Sequence, residues 1–162
     1  MVEEPRTPPI AQKPLELILA RNLLTSITTP AFLVDRTGAL LFYNEAAGAL
    51  LGIPFEELGR MEPEQWTRLF RPFTDGDGDG DGGGEGPVDI ETLPLTIALR
   101  DGRPAHTTLT IHSAKTGDHE IAASAMPIVG QSEEASGAIV IFWPLDEDRA
   151  REVTTGRHEV VK

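Results

Sequence analysis

The chain contains no cysteine. That absence excludes disulfides, thiolate metal sites, thiol nucleophiles and cysteinyl adducts together. Long hydrophobic runs are missing too. The best candidate, LELILARNLL, is interrupted by Glu16 and Arg21 and falls far short of the roughly 20 residues a spanning helix needs. Basic residues are scarce: 14 Lys and Arg against 26 Asp and Glu give a net charge of −12. Seven of those acids lie between Asp75 and Glu91, where no base occurs. Such a field repels a phosphate backbone, so neither nucleic acid nor an anionic membrane is an expected partner. The opening MVEEPRTPPIAQKP is acidic and proline-rich, unlike the basic start of a signal peptide, and a cytoplasmic location is the simplest expectation. Aromatics are few, with six Phe, two Trp and one Tyr in 162 residues, enough for one domain with a modest core.

Catalytic signatures are equally absent. No G-x-S-x-G elbow and no clustered His–carboxylate motif occurs, and Ser132 and Ser136 read as turn residues in a polar loop. An enzyme is therefore not expected. His106 and His112 fall on one face of a predicted strand, but six residues, about 20 Å, separate them. They cannot share an ion, and no metal site is expected.

What is present is a regular alternation of short elements. Residues 1–13 carry a disorder-type composition. Over 14–29 the pattern is helical, with Pro14 suited to a first turn and Leu17, Ala20, Leu24 and Ile27 on one face. Leu15, Ile18, Leu19 and Leu23 widen the stripe beyond one packing surface. A helix apolar on nearly every side is buried on every side, between the core and a partner chain or inside the core. Pro30 stops it. In AFLVDRTGALLFYN two apolar runs flank an Asp-x-x-Gly turn, a predicted β-hairpin. Asn44 is a good N-cap for EAAGALL, which Gly52 and Pro54 close. PFEEL, EPEQWTRLF and LPLTIALRDG read as further short helices. AHTTLTIHS, HEIAASAMPIV and GAIVIFW read as three strands. The last is apolar on both faces, as in a central strand covered on both sides. The order predicts an α+β domain: a five-stranded antiparallel sheet with short helices on one face and an N-terminal flanking helix. Residues 145–162 read as a frayed tail.

Between helices lies DGDGDGDGGGEG, residues 75–86. As a calcium loop started at Asp75 it would need a bidentate Glu at its twelfth place, which is Gly86. Weak binding is the most that pattern allows. Its textual G-x-G-x-x-G has no strand leading in, and its carboxylates oppose phosphate. Alternating Asp and Gly cannot bury apolar surface, so residues 74–89 are read as a flexible, solvated insert.

The stretch LVDRTGALLFYNEAAGALLG, with LPLTIALRDGRPAH and AMPI…GAIVIFW further on, resembles a PAS domain. The resemblance covers roughly residues 20–144, with the domain itself expected at 30–144 and the helix over 14–29 flanking it. It implies a signal-sensing module whose inner sheet face, roofed by the middle helices, holds a small apolar ligand. It also implies a homodimer whose contacts, or an unidentified signalling partner, read that ligand. The alternative it leaves is a ligand-free protein–protein interaction or dimerisation module. By position along the matched strand–Asn–helix motif, the pocket-lining places of the photoactive-yellow-protein branch fall on Phe32, Tyr43, Ala47 and Leu51, with the Tyr43 hydroxyl as one polar handle. Dimer contacts are expected at Leu17, Ala20, Leu24 and Ile27. The cofactor stays unknown: the helix that bears the haem ligand in relatives has no histidine here, and no cysteine exists for a flavin adduct or an attached chromophore. Non-covalent flavin remains open. The family's Asp-x-Thr exit is replaced by PLDEDRAREVT, so the chain reads as a stand-alone module or as a fragment without its effector.

Overall fold

Caps and turns set most element boundaries. The computed structural model describes residues 14–74, 86–87, 90–131 and 133–145. The expectations for 1–13, for most of the 74–89 insert including any weak calcium binding, for Ser132 and for the tail after 145 lie outside them.

Helix α1 spans Leu15–Ser26, with Pro14 extended before it rather than in its first turn. It stops short of the predicted Thr29. The Thr25 and Ser26 hydroxyls turn back onto the carbonyls of Arg21 and Leu23, a side-chain competition that loosens helix ends. Strands β1 (Ala31–Asp35) and β2 (Leu40–Tyr43) form the predicted hairpin. Its turn is held by Asp35, whose Oδ1 accepts from the Thr37 and Ala39 N–H groups at 2.8 and 3.1 Å. Gly38 sits there at φ +84°, a conformation that suits glycine.

Helix α2 (Glu45–Leu51) is capped by the Asn44 side chain and closed by Gly52 in the left-handed region. Helix α3 (Phe55–Leu58) and helix α4 (Pro63–Phe70) follow, the latter opened by a reciprocal Glu62–Gln65 capping box with Pro63 at its first position. The Trp66 indole N–H donates to the Gly38 carbonyl at 2.9 Å and ties α4 to the hairpin turn. Two-residue strands β3 (Phe73–Thr74) and β4 (Gly86–Pro87) pair with each other, and β3 also pairs with the edge of the main sheet. A strand therefore does lead into the Asp/Gly stretch, contrary to the sequence expectation. A 3-10 turn at Ile90–Thr92 precedes helix α5 (Pro94–Asp101). Three long strands, β5 (Ala105–Ser113), β6 (Gly117–Val129) and β7 (Ala135–Pro144), complete the domain.

The five long strands run antiparallel in the order β2-β1-β7-β6-β5, with β3 and β4 beyond β5. The last strand lies between the first and the sixth, so β7 is central as predicted. The inner face packs against α2, α4 and α5 through one cluster that includes Tyr43, Leu51, Trp66, Phe70, Ala98 and Phe142. The outer face packs against α1 through a second, smaller cluster of Leu17, Ala20, Leu24, Ala31, Leu33 and Phe42.

Two expectations change. Coverage of β7 is complete on the inner face only, because α1 is too short to reach Trp143, which stays 44% exposed. Ser136 is a strand residue rather than a turn residue: its Oγ donates to Glu16 Oε1 at 2.6 Å, pinning the start of α1 to β7. That bond is the main cause holding the Glu16 carboxyl below the ordinary carboxylate value.

Candidate functional site

Phe32 and Tyr43 face each other across the β1–β2 ladder, and Tyr43, Ala47 and Leu51 are buried in the inner cluster with Phe32 packed against it. The four predicted pocket residues are thus brought together. They meet as packing. The Phe32 ring lies 4.9 Å from that of Phe142, 5.7 Å from that of Tyr43 and 6.1 Å from that of Phe70, centroid to centroid. Such separations are direct aromatic contact, so the space around Phe32 is taken up by the chain's own rings. Tyr43 lies edge-on to Phe55 at 5.4 Å. Its hydroxyl, predicted as a ligand handle, donates instead to the Ile53 carbonyl at 2.6 Å and fastens the link between α2 and α3. Burial first, and then Glu56 and Glu57 nearby, push the Tyr43 pKa up to about 12.

Helix α2 is gripped at both ends. At its C-terminus Ser113 Oγ donates to the Leu51 carbonyl at 2.5 Å and Thr116 Oγ1 to the Leu50 carbonyl at 2.7 Å. The β5–β6 turn thereby sits so close that a Cβ at Gly52 would lie 2.9 Å from Thr116 Cγ2. At its N-terminus Asn44 is 2% exposed and fully used. Its Oδ1 accepts from the Ala31 and Ala47 N–H groups, each at 3.1 Å. Its Nδ2 faces the carbonyls of Leu24, Ile27 and Thr29 at 3.2, 3.4 and 2.7 Å. The sequence identified the N-cap, but not the second task. A cap is a local signal three residues long, whereas the carbonyls of Leu24 to Thr29 come to Asn44 only through the fold.

Beside Asn44 an open groove of about 730 Å³ runs between α1, β2 and the α2–α3 segment. Its lining includes Arg21, Thr25, Glu45, Gly48, Phe55 and Glu56, and of the four predicted pocket residues Tyr43 borders it. The Arg21 guanidinium lies 4.7 Å from the Phe42 ring centroid and 5.8 Å from that of Phe55, within range of a cation–π contact. Nothing in the sequence singled out Arg21, because its aromatic partners are 21 and 34 positions away.

The predicted dimer face requires correction. Leu17, Ala20 and Leu24 are buried against the chain's own sheet, and Ile27 packs on the same cluster. They are not available to a partner in this arrangement. Close approach is made possible by Gly137, where a Cβ would stand 2.8 Å from Leu17 Cδ2 and 2.3 Å from the Val34 carbonyl oxygen. The residues read as merely widening the stripe, Leu15, Ile18, Leu19 and Leu23, form the outward side and are exposed. On the open sheet beside them Met126 and Trp143 are also exposed. Met126 stands opposite Ile139 in the ladder, and Ile139 packs on the cluster beneath α1.

Of the histidines, His112 Nδ1 lies 2.6 Å from Asp118 and His119 Nε2 lies 2.7 Å from Thr116 Oγ1. Among the described residues, no group of three or more potential metal ligands is gathered, and no helix is long and apolar enough to cross a membrane.

No protein-family model matches the sequence, and no curated protein sequence does. Solved structures do match. The PAS domain of Bordetella pertussis BvgS superposes with a TM-score of 0.51 at 14% identity, covering 88% of this chain and 98% of that one. A Rhodobacter sphaeroides LOV protein gives 0.57 at 17% identity, over 83% of this chain and 68% of the other. A PAS domain from a Colwellia psychrerythraea protein gives 0.54 at 16% identity, over 79% and 95%. At such identities the likeness is one of architecture: the chain has the PAS fold.

Proposed function

We propose that this PAS-fold chain is a signalling module that works through contact with a second copy of itself, using the outward side of α1 and the open outer sheet. The observation that carries the reading is the set of exposed apolar side chains on the outer side of the domain: Leu15, Ile18, Leu19 and Leu23 on α1, and Met126 and Trp143 on the open sheet. Contiguous exposed apolar surface marks an interaction site, whereas scattered single residues do not. The occupant is a second copy because these side chains carry no charge on a chain of net charge −12. Two such chains repel least where neither presents carboxylates, and a two-fold pairing lets one patch serve both protomers. A separate signalling protein would read the pair. The ring contacts around Phe32 support the ligand-free form of the module for the inner face, in place of a ligand among Phe32, Tyr43, Ala47 and Leu51.

A second reading rests on the groove by Asn44. Its volume of about 730 Å³ lies within the range of small-molecule sites, and its aromatic residues Phe42, Tyr43 and Phe55, with Arg21 offset by Glu45 and Glu56, suit a flat apolar molecule without net negative charge.

The test is oligomeric mass. Light scattering of the unaltered chain should give a dimer, and Leu19→Glu with Leu23→Glu should halve the mass while leaving the circular dichroism spectrum unchanged. A wild-type monomer at every concentration, or a dimer indifferent to the two glutamates, removes the reading. Native mass spectrometry of protein taken directly from cells addresses the second reading, through the presence or absence of a bound small molecule.

A further inference from the structure

We infer that Asn44 is the joint that sets the pose of α1 against α2 and the sheet, and through it the geometry of the proposed partner surface. The consequence for pairing rests on the dimer reading; the geometry of the joint does not. The neighbours fix how the carboxamide is oriented, with two N–H groups on one side and three carbonyls on the other. Its oxygen serves β1 and α2. Its nitrogen faces the exit of α1, at Leu24, and two of the four residues that lead from it into β1, Ile27 and Thr29. The Asn44 backbone N–H also donates to the Ala31 carbonyl at 3.2 Å, so the joint is fixed to the sheet by its main chain. Helix α1 has little else of this kind. No side chain caps its N-terminus, its apolar contacts come from one side only, and among the described residues its other side-chain anchors are Glu16 on Ser136 and the Arg21 guanidinium over Phe42 and Phe55. A buried amide satisfied on both sides makes each partner's position depend on the other's, since a displaced partner leaves a polar group unpaired away from water. Asn44, Arg21 and Thr25 line the groove together with Gly48 and Phe55. Whatever presses α2 and α3 apart from α1 there acts across the joint.

The two halves can be separated by substitution. Asn44→Asp keeps an acceptor for the Ala31 and Ala47 N–H groups and turns an oxygen toward the three carbonyls. Asn44→Ser keeps an acceptor for the α2 cap without a buried charge and is too short to reach the α1 exit. In hydrogen exchange followed by mass spectrometry, both should accelerate amides in Leu15–Ser26 by about tenfold, the equivalent of one lost net hydrogen bond, with little change in β5 to β7. Exchange of α1 at the wild-type rate overturns the inference. So does equal loss of protection in α1 and the sheet, or failure of both variants to fold, since Asn44 would then be a general stabiliser. Light scattering of Asn44→Ser separates this from the dimer reading. If the wild-type chain pairs and the variant loosens α1, pairing should weaken at least about tenfold; unchanged pairing overturns the link to the partner surface. A wild-type monomer with a loosened α1 in the variant would leave the joint standing and remove the dimer reading alone.

Discussion

Phe142 and Trp143 are neighbours in β7 and have opposite surroundings. Phe142 points to the inner face, is fully buried, and touches Phe32. Trp143, the larger ring, points to the outer face and is 44% exposed. The same contrast recurs one helix away, where Leu24 is 1% exposed and Leu23 59%. Inside, helices from the middle of the chain cover the centre of the sheet. Outside, a single twelve-residue helix covers part of it. The difference teaches that the inner face holds most of the core while the outer face leaves large apolar side chains in solvent.

The strongest test of that contrast is a pair of truncations. Phe142→Ala should cost about 3–5 kcal/mol of stability, as large core deletions do, whereas Trp143→Ala should cost about 1 kcal/mol or less, as surface changes do. Urea unfolding followed by the buried Trp66 reports both, and similar losses for the two would erase the distinction between the faces. Next in size is Gly137→Ala. A methyl 2.3 Å from the Val34 carbonyl oxygen and 2.8 Å from Leu17 Cδ2 must push α1 and β1 away, at about 1–3 kcal/mol for overpacking. Its exchange signature should be concentrated in α1 and β1; a loss spread evenly over the inner face would mean the two sides are not independent.

The smallest effect at neutral pH, and the most specific, concerns Tyr43, the chain's one tyrosine. Its pKa is raised from 10.0 to about 12 by burial, so the folded state holds the phenolic proton more tightly than the unfolded state. That contribution is fully present below pH 10 and is lost as pH rises from 10 to about 12. Tyrosinate absorbance should therefore appear late, together with unfolding. Tyr43→Phe should remove this slope of stability over that window. Ionisation near pH 10 in a still-folded chain would place Tyr43 nearer the solvent than the inner cluster.

Much of the architecture was legible because the signals are local. Asp35 and Gly38 announce the hairpin turn, Asn44 and Gly52 bracket α2, Pro63 and Pro94 open their helices, and β7 is marked by apolar residues on both of its faces. The candidate sites were legible only as groups. Position along the matched motif grouped Phe32, Tyr43, Ala47 and Leu51, yet whether four such residues line a hollow or fill one depends on Phe70 and Phe142, which arrive from elsewhere in the chain. The β3–β4 pair escaped notice because two residues carry no period. For α1, Leu17 and Leu19 are equally apolar, and nothing local says which of them meets the sheet.

The sequence by itself determined the order and kind of the elements, the absence of thiol chemistry, and the acidity that repels anionic partners. Those follow from residue type and spacing, which act over a turn or two of chain. Only the tertiary structure decided which side of α1 faces inward, that the Tyr43 hydroxyl is engaged by Ile53, and that Asn44 bridges α1 to α2. Each of these depends on groups far apart in sequence whose distance is set when the sheet closes, with β7 inserted beside β1.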